Sequence, residues 1–425
     1  MFIQYLFFSQ DFSSIIKYGN EELCKKNEEV IWKWIWESWH IAIGPAIKEV
    51  YPDYVNLLNT GAINNGYEDI GVAWREELEI HDMTRVMKGL IDDIEPFYRM
   101  LHAFTVFMLK SKYDLKSTLP AHLLGWNQNW NHLFQQQIAP EIFSDKFNIE
   151  NEIKSKDWSP EDMLTRSEDF YSSLGLERMP KQFWTNSFIG KKQNGNHSSC
   201  HGTAANMYNK DDYRMIVCAE KSLYDFYVIV HEMGHLQQYM LVQNQPAVFQ
   251  DGNSAIQEAI GDSIFLGIIT PMHLSRLQLI KDQQLFPSAD NSFDLYHLMT
   301  MAFMKIPQIP FEFIFDKFRW ELFSNRVSFE ESNDFFWDLS RKFQEITPPD
   351  LNFNRHDLFD AAGKFHLAAN VPYVRYFFAS FLQAQIFKGL CEITVYGKLN
   401  SGEKLPMPLA KCDIYGSKKA GNLLK

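Results

Sequence analysis

The chain has 425 residues, of which 46% are hydrophobic and 15% aromatic, so it is long enough to bury a large core. Its formal net charge of -12 is spread along the sequence, and no basic stripe suggests a nucleic-acid partner. No stretch approaches the ~20 uncharged apolar residues that span a bilayer. The apolar start, MFIQYLFFSQ, lacks the basic region and cleavage site of a recognisable signal peptide.

The predicted elements are mostly helices, which favours a mainly α fold. Residues 159–162 (Ser-Pro-Glu-Asp) offer an N-cap, a proline at the first helical position and an acidic first turn, and residues 328–331 carry a capping-box pattern. Short β structure is expected only within CHGTAANMYNKDDYRMIVC, where residues 209–212 form the turn of a hairpin. We find no repeat, no low-complexity linker and no clear domain boundary. The longer helices are expected near 84–113, 221–244, 254–269, 310–325 and 371–394.

The strongest chemical signal is YVIVHEMGHLQQYM, within the helix expected near 221–244. His231 and His235 are four residues apart, so both lie on one face of a helix and both imidazoles can bind one tetrahedral metal ion. Glu232 projects beside the first histidine, where it can take a proton from a water at the metal. The alternative is a pair of core histidines that hydrogen bonds satisfy.

A third protein ligand is needed. The extended H-E-x-x-H-x-x-G-x-x-H pattern does not supply it, because Gln238 and Leu241 occupy the glycine and histidine positions. Glu258, at the start of the next helix, is a candidate, although a surface glutamate is the commoner case. Asp262 is one turn later on the same face and is a candidate to orient a ligand histidine. An exposed helix residue is the alternative for Asp262.

The HEMGH motif is followed along the chain by further characteristic sequence blocks. HEMGH followed by EAIGD and TPMHL resembles the angiotensin-converting-enzyme family of zinc peptidyl-dipeptidases, and the similarity extends from about residue 25 to the end. Further blocks support it: GYEDIGVAWRE, AHLLGWNQNW, CHGTAANMYNKDDYR, FDAAGKFH, VPYVRYF and CDIYGSKKAG. The resemblance implies a large helical zinc-peptidase domain with a deep central cleft and a short β hairpin near the active site.

The same resemblance implies how the chain is organised. We expect a divergent N-terminal segment, residues 1–24, and then a single catalytic domain over residues 25–425. Compared with the family pattern, we expect this domain to lack most of the N-terminal helical lid and the C-terminal helices.

The resemblance also assigns roles at the reacting bond. The zinc ligands that it implies are His231, His235 and Glu258. Glu232 matches the general base that later acts as an acid, and His366 and Tyr376 match the donors beside the developing oxyanion. A tetrahedral intermediate carries negative charge on oxygen, and neutral donors fixed beside it lower its energy.

Other residues match the family's contacts with the peptide substrate. Lys364, Tyr373 and Gln128 correspond to the three residues that hold the C-terminal carboxylate, for which an ammonium with neutral donors is suited. His201 matches a substrate-contacting residue, and the backbone at Ala204 matches one beside the extended peptide. Related single-residue carboxypeptidases carry an arginine at the position of Gln128, so glutamine favours the release of dipeptides.

Four of the five cysteines match the family's disulfides, Cys200 with Cys218 and Cys391 with Cys412, and Cys24 has no evident partner. Two such disulfides imply an oxidising compartment, and with the family resemblance they indicate an extracellular protein. Asn196 begins an N-glycosylation sequon, which is consistent with secretion.

The family's chloride sites are only partly preserved. Arg75 and Arg375 match chloride ligands. The tryptophan, arginine and tyrosine that accompany them in the family are replaced here by Phe336, Ser340 and Phe104. Because these residues cannot fully replace the lost contacts, we expect chloride activation to be weak or absent.

The sequence therefore favours a zinc peptidyl-dipeptidase in which Glu232 activates water for attack on the penultimate bond of a short peptide. One alternative is a catalytically impaired homologue that serves as a peptide-binding or interaction protein. Such relatives usually lose a ligand or the base, and both are present here. The other alternative, a single-residue carboxypeptidase, is disfavoured by Gln128.

Overall fold

The computed structural model describes residues 28–113, 115, 117–124, 130–143, 147–190, 202–281, 292–400 and 402–425. The chain forms two compact units, the first within residues 1–144 and 297–377, the second within residues 145–296 and 378–425. The fold is mainly α, as predicted. No described helix is both long enough and apolar enough to cross a lipid bilayer.

The described residues form helices α1–α17 and short strands β1–β5. The helices are α1 Glu28–Asn64, α2 Ile70–Glu76, α3 Met83–Tyr113, α4 Asn131–Leu133, α5 Ala139–Ile142, α6 Ile149–Ser155, α7 Pro160–Ser173, α8 Lys181–Asn186, α9 Leu223–Val242, α10 Ser254–Ile268, α11 Pro271–Arg276, α12 Ser292–Lys305, α13 Gln308–Phe323, α14 Ser332–Gln344, α15 Phe365–Ala368, α16 Val374–Tyr396 and α17 Lys418–Leu424. The strands are β1 Leu119–Pro120, β2 Phe188–Ile189, β3 Thr203–Asn206, β4 Tyr213–Val217 and β5 Ile346–Thr347.

The five longer helices that the sequence predicts are present, as α3, α9, α10, α13 and α16. The predicted cap of α7 is also present: Ser159 Oγ accepts a hydrogen bond from Asp162 N at 3.1 Å, and Asp162 Oδ2 accepts one from Ser159 N at 2.9 Å. The pattern at residues 328–331 forms a hydrogen-bonded turn directly before α14, in which Glu331 N donates to Ser328 Oγ at 3.2 Å.

The predicted hairpin is present, with one strand more than expected. β3 and β4 pair antiparallel, with Thr203 opposite Ile216, and residues 209–212 lie between them. β2 pairs in parallel with β4, so that β3 lies at an edge of this described sheet. β1 and β5 form a second, parallel pair. The expectation of β structure in the hairpin alone was too narrow, because strands of two residues carry no alternating pattern.

Each unit has an aromatic core of its own. In the first unit the ring of Phe318 meets the rings of Phe336 and Phe359, with centroids 5.5 and 6.0 Å apart. In the second unit Phe226 of α9 meets Phe265 of α10 edge-on, with centroids 6.4 Å apart. The second pair anchors the two helices that carry the HEMGH and EAIGD motifs.

The disulfide between Cys391 and Cys412 is present, as predicted, with Cα atoms 6.1 Å apart. It ties α16 to the segment that leads into α17. Cys218 is also disulfide-bonded. Its predicted partner Cys200 and the sequon at Asn196 lie outside the described residues.

Candidate metal centre

Two helices of the second unit, α9 and α10, carry the predicted metal ligands, and their backbones touch at two glycines. A Cβ on Gly261 would lie 2.6 Å from His231 O, and a Cβ on Gly234 would lie 2.6 Å from Gly261 Cα. No residue with a side chain fits at this distance, so the glycines of HEMGH and EAIGD are required for the approach. The approach brings Glu258 within reach of both histidines.

The donor atoms of the three predicted ligands converge on one point. His231 Nε2 lies 3.2 Å from His235 Nε2 and 3.2 Å from Glu258 Oε2, and His235 Nε2 lies 3.6 Å from Glu258 Oε2. Zinc–ligand bonds of about 2.0–2.1 Å at tetrahedral angles separate ligand atoms by about 3.3 Å. The set therefore fits zinc with three protein ligands and one open position. Among the described residues, no other group of three histidine, cysteine or acidic side chains is close enough to share an ion.

Asp262 fixes the ring of the first histidine. Its Oδ1 accepts a hydrogen bond from His231 Nδ1 at 2.8 Å, so Nε2 faces the other two ligand atoms. Burial by itself would lower the pKa of His231, but the hydrogen bonds to Asp262 and Glu258 hold it well above its usual value. Burial likewise opposes ionisation of Glu258, yet its hydrogen bonds to both histidines keep its pKa below the ordinary value. The Glu258 carboxylate is thus held ionised, as a carboxylate ligand of a cation must be.

Glu232 lies on α9 next to the first ligand and is buried, with 8% of its surface exposed. A Cβ on Gly202 would lie 3.2 Å from Glu232 Oε1, so the backbone that enters β3 passes directly over this carboxylate. Ala204 follows on β3, whose position at a sheet edge suits the addition of an extended peptide as a further strand. His201, the residue before Gly202, lies outside the described residues.

Four other predicted residues form a cluster in the first unit. Tyr376 Oη lies 3.3 Å from His366 Nε2, and the ring centroids of Tyr373 and Tyr376 are 4.7 Å apart. Tyr373 also meets His366 edge-on at 5.0 Å, and Lys364 Nζ lies 5.6 Å from the centroid of the Tyr373 ring. The structure therefore brings together two predicted carboxylate-binding residues and the two predicted oxyanion donors.

Lys364 has the character of an anion-binding group. Burial lowers its pKa to about 8, and the charge of Glu312 opposes this shift in part. Within the part of the chain that the structure describes, no side chain forms a hydrogen bond or ion pair with Lys364 Nζ. A half-buried ammonium in this state is costly, and a bound carboxylate would reduce the cost. Gln128, the third predicted carboxylate-binding residue, lies outside the described residues.

Asp316 and Arg319 were not predicted from the sequence, although they hold the backbone of this cluster. Both are fully buried and paired, with Arg319 Nε donating to Asp316 Oδ1 at 2.8 Å. Asp316 Oδ2 accepts hydrogen bonds from Tyr373 N and Val374 N, both at 2.6 Å, and Arg319 Nη2 donates to Val371 O at 2.7 Å. Their sequence signal, opposite charges three residues apart on a helix, is the same as that of an exposed pair.

Comparison with known proteins decides the family. A family model described as "Angiotensin-converting enzyme" matches residues 17–425. The chain belongs to the angiotensin-converting enzyme family. Angiotensin-converting enzyme of Bos taurus is 36% identical over 401 residues, which are 92% of this chain and 29% of that protein. The angiotensin-converting enzyme-like protein Ace3 of Mus musculus is 34% identical over 399 residues, which cover 92% and 52% of the two chains.

The alignment covers a larger share of a third relative. Angiotensin-converting enzyme of Haematobia irritans exigua is 31% identical over 417 residues, which are 95% of this chain and 66% of that protein. By contrast, the chain spans only 29% and 30% of the length of the Bos taurus and Rattus norvegicus enzymes. Family membership confirms the resemblance that the sequence blocks indicate. Because the family is one of zinc metallopeptidases, zinc is the metal expected at His231, His235 and Glu258.

The two arginines that match the family's chloride ligands have other partners among the described residues. The Arg75 guanidinium lies over the ring of Trp320, 4.8 Å from the centroid. Arg375 Nη2 lies 3.6 Å from Glu77 Oε1. Each arginine is therefore in contact with a group of this chain that compensates part of its charge.

The three residues that replace the family's chloride partners carry no positive charge. Phe336 and Ser340 line a cavity of about 50 Å³, and the Ser340 hydroxyl donates to Phe336 O at 3.0 Å. Phe104 packs edge-on against Phe303, with centroids 6.4 Å apart. Weak or absent chloride activation stays a prediction.

Proposed function

We propose that this protein is a zinc peptidyl-dipeptidase that releases C-terminal dipeptides from short extracellular peptides. The observation that carries the proposal is the convergence of His231, His235 and Glu258 at zinc-ligand spacing, with Glu232 buried beside them. Membership of the angiotensin-converting enzyme family supports the metallopeptidase class. The disulfide between Cys391 and Cys412 supports an extracellular location.

The residues of the second unit would perform the bond-breaking step. Zinc, when bound, supplies Lewis acidity that polarises a carbonyl and makes water more acidic. Asp262 keeps the proton of His231 on Nδ1, which leaves the Nε2 lone pair for the metal. Glu232 takes the proton of the attacking water and passes it to the leaving amine. The backbone at Ala204 binds the extended substrate, and His201 contacts it.

The residues of the first unit would recognise the substrate and the transition state. Lys364, with Tyr373 and Gln128, binds the C-terminal carboxylate that defines an exopeptidase substrate. His366 and Tyr376 donate hydrogen bonds to the developing oxyanion in place of their contact with each other, in which Tyr376 Oη lies 3.3 Å from His366 Nε2. Removing one such donor typically costs about 10²–10³ in kcat.

The first experiment measures zinc content and the hydrolysis of an N-blocked tripeptide by the wild type and by Glu232→Ala. We expect both proteins to bind zinc and only the wild type to cleave, because the general base acts after the metal is held. Glu161→Ala, which replaces an exposed glutamate of the second unit, is the matched control and should cleave normally.

The products that the wild type releases, and the activity of Glu232→Ala, distinguish the alternatives. A blocked amino acid and a free dipeptide support the proposal, whereas a free single amino acid would make the protein a carboxypeptidase. A wild type that holds zinc but does not cleave would be a peptide-binding relative. Unchanged cleavage by Glu232→Ala would refute the role of Glu232.

A second experiment tests recognition of the carboxylate. Lys364→Gln should raise KM strongly for the free acid of the peptide and little for its C-terminal amide, which lacks the charged group. Lys388→Gln, at an exposed lysine of α16, is the control. Equal effects of Lys364→Gln on the acid and the amide would contradict this role.

A further inference from the structure

The segment of α9 that carries the metal ligands is held by hydrogen bonds at both of its ends. This segment, residues 231–235, begins and ends with the two predicted histidine ligands. On its N-terminal side, the hydroxyl of Tyr171, on α7, donates to Val230 O at 2.9 Å. On its C-terminal side, Gln237 Nε2 donates at 2.7 Å to Glu177 O, in the loop that follows α7. Both bonds therefore connect the metal-binding segment with the same part of the second unit.

The Tyr171 hydroxyl reaches α9 because a glycine leaves room for it. Tyr171 is fully buried, and a Cβ on Gly234 would lie 3.0 Å from its Oη. In regular helical geometry the N–H of Gly234 donates to the carbonyl of Val230, one turn earlier. A carbonyl oxygen has two lone pairs, so Val230 O can accept both hydrogen bonds. The hydroxyl thus adds a contact to the backbone of α9 that a phenylalanine ring would not make.

Gln237 is buried, with only 2% of its surface exposed. A buried side-chain amide needs hydrogen-bond partners, and the carbonyl of Glu177 accepts one of its N–H groups. The loop that contains this carbonyl is itself attached to α7, because Glu168 Oε1 accepts a hydrogen bond from Met179 N at 2.8 Å. Gln237 therefore binds a loop whose position is fixed by α7.

The contact between α9 and α10 brings the ligands close but does not prevent α9 from sliding or turning. At Gly234 and Gly261 the two backbones meet without side chains, so no ridge interlocks with a groove at this point. Zinc–ligand distances tolerate only about 0.2 Å, so a small shift of α9 along its axis would misplace both histidines. Hydrogen bonds require short distances and nearly linear angles, so the bonds at Val230 and Gln237 restrict such shifts.

We propose that Tyr171 and Gln237 are positioning residues of the metal centre. They fix the metal-binding segment to α7 and its loop, so that both histidine rings stay directed at the point where Glu258 also lies. The inference rests on the proposed zinc site and adds two residues that are not among its ligands. Partners that orient metal ligands typically contribute about 10–100-fold to metal affinity. We expect the lower end of this range, because both residues act on the ligands through the backbone of α9.

The test measures zinc affinity, by competition with a chelator, for Tyr171→Phe, Gln237→Met and the double variant. Each replacement keeps the approximate size of the side chain and removes the hydrogen-bond donor. We expect zinc affinity to fall about threefold in each single variant and about tenfold or more in the double variant. The visible absorption spectrum of the cobalt-loaded double variant should also change, because the two histidines no longer hold one fixed geometry.

Tyr213→Phe and Gln243→Met are the matched controls. They remove the same chemical groups from a hydrogen bond beyond the other end of α9, in which Tyr213 Oη donates to Gln243 Oε1 at 3.2 Å. Their zinc affinity and cobalt spectra should match the wild type. All proteins are compared at a temperature at which circular dichroism shows the metal-free form to be folded, so that a loss of global stability does not lower the measured affinity.

The inference would be overturned, with the proposed function intact, by a double variant whose zinc affinity stays within about threefold of the wild type. Equal losses in the two controls would also overturn it. If the double variant does not fold, the single variants decide, and affinities of both within about twofold of the wild type would contradict the positioning role. Failure of the wild-type protein to bind zinc would overturn the proposed function as well.

Discussion

Replacing Gly261 with alanine tests whether the close approach of α9 and α10 sets the metal geometry. The new Cβ would lie 2.6 Å from His231 O and 2.7 Å from His231 Cα, both backbone atoms that cannot rotate away. To reach ordinary contact at 3.4 Å, α10 would have to move back by about 0.8 Å. Zinc–ligand distances tolerate only about 0.2 Å, so this shift would remove Glu258 from its position beside the histidines. We expect zinc affinity to fall at least tenfold and overpacking to cost about 1–3 kcal/mol of stability.

The assay combines chelator competition with thermal unfolding of the metal-free and zinc-loaded proteins. Gly89→Ala is the matched control, because Gly89 also lies within a helix and a Cβ there meets nothing within 4 Å. Alanine is the better helix former by about 0.5–1 kcal/mol, so this control should keep its stability and its zinc affinity. A Gly261→Ala protein with zinc affinity within threefold of the wild type would refute the reasoning.

The Lys364 ammonium, whose pKa burial lowers to about 8, should control hydrolysis at alkaline pH. The ammonium loses its proton as the pH rises through about 8, so kcat/KM for free-acid peptides should fall over this range. An equal fall for peptide amides would contradict the role of Lys364 in binding the carboxylate. Asp316→Ala leaves the buried Arg319 without its carboxylate partner and should lower the free energy of unfolding, measured in urea, by about 3–5 kcal/mol. A loss below about 1 kcal/mol would show that the ion pair is dispensable for stability. Chloride added to a chloride-free assay should raise the rate of hydrolysis little, because Ser340 brings no cation, and strong activation would disprove this.

Local spacing in the sequence determined the metal-binding helix and much of the helical fold. The spacing of His231 and His235 places both on one face of a helix whatever surrounds it. The cap at Ser159 likewise depends on residues only three positions apart. Motif order along the whole chain then indicated the family, because several independent blocks agree.

Contacts between distant segments required the tertiary structure. Glu258 and Asp262 stayed candidates in the sequence, since a carboxylate on a helix is usually solvated and only the glycine contact between α9 and α10 brings them to the histidines. α1 continues through two prolines, a pattern that by itself indicates an interrupted helix.

The partners of buried polar groups also required the tertiary structure. Asp316 was not predicted from the sequence, because residue type and spacing do not show which atoms meet its carboxylate. The sequence determined which groups can do chemistry, since that depends on residue type and nearby spacing. Only the tertiary structure decided which of them meet, because burial and hydrogen bonding across separate helices depend on how the helices pack.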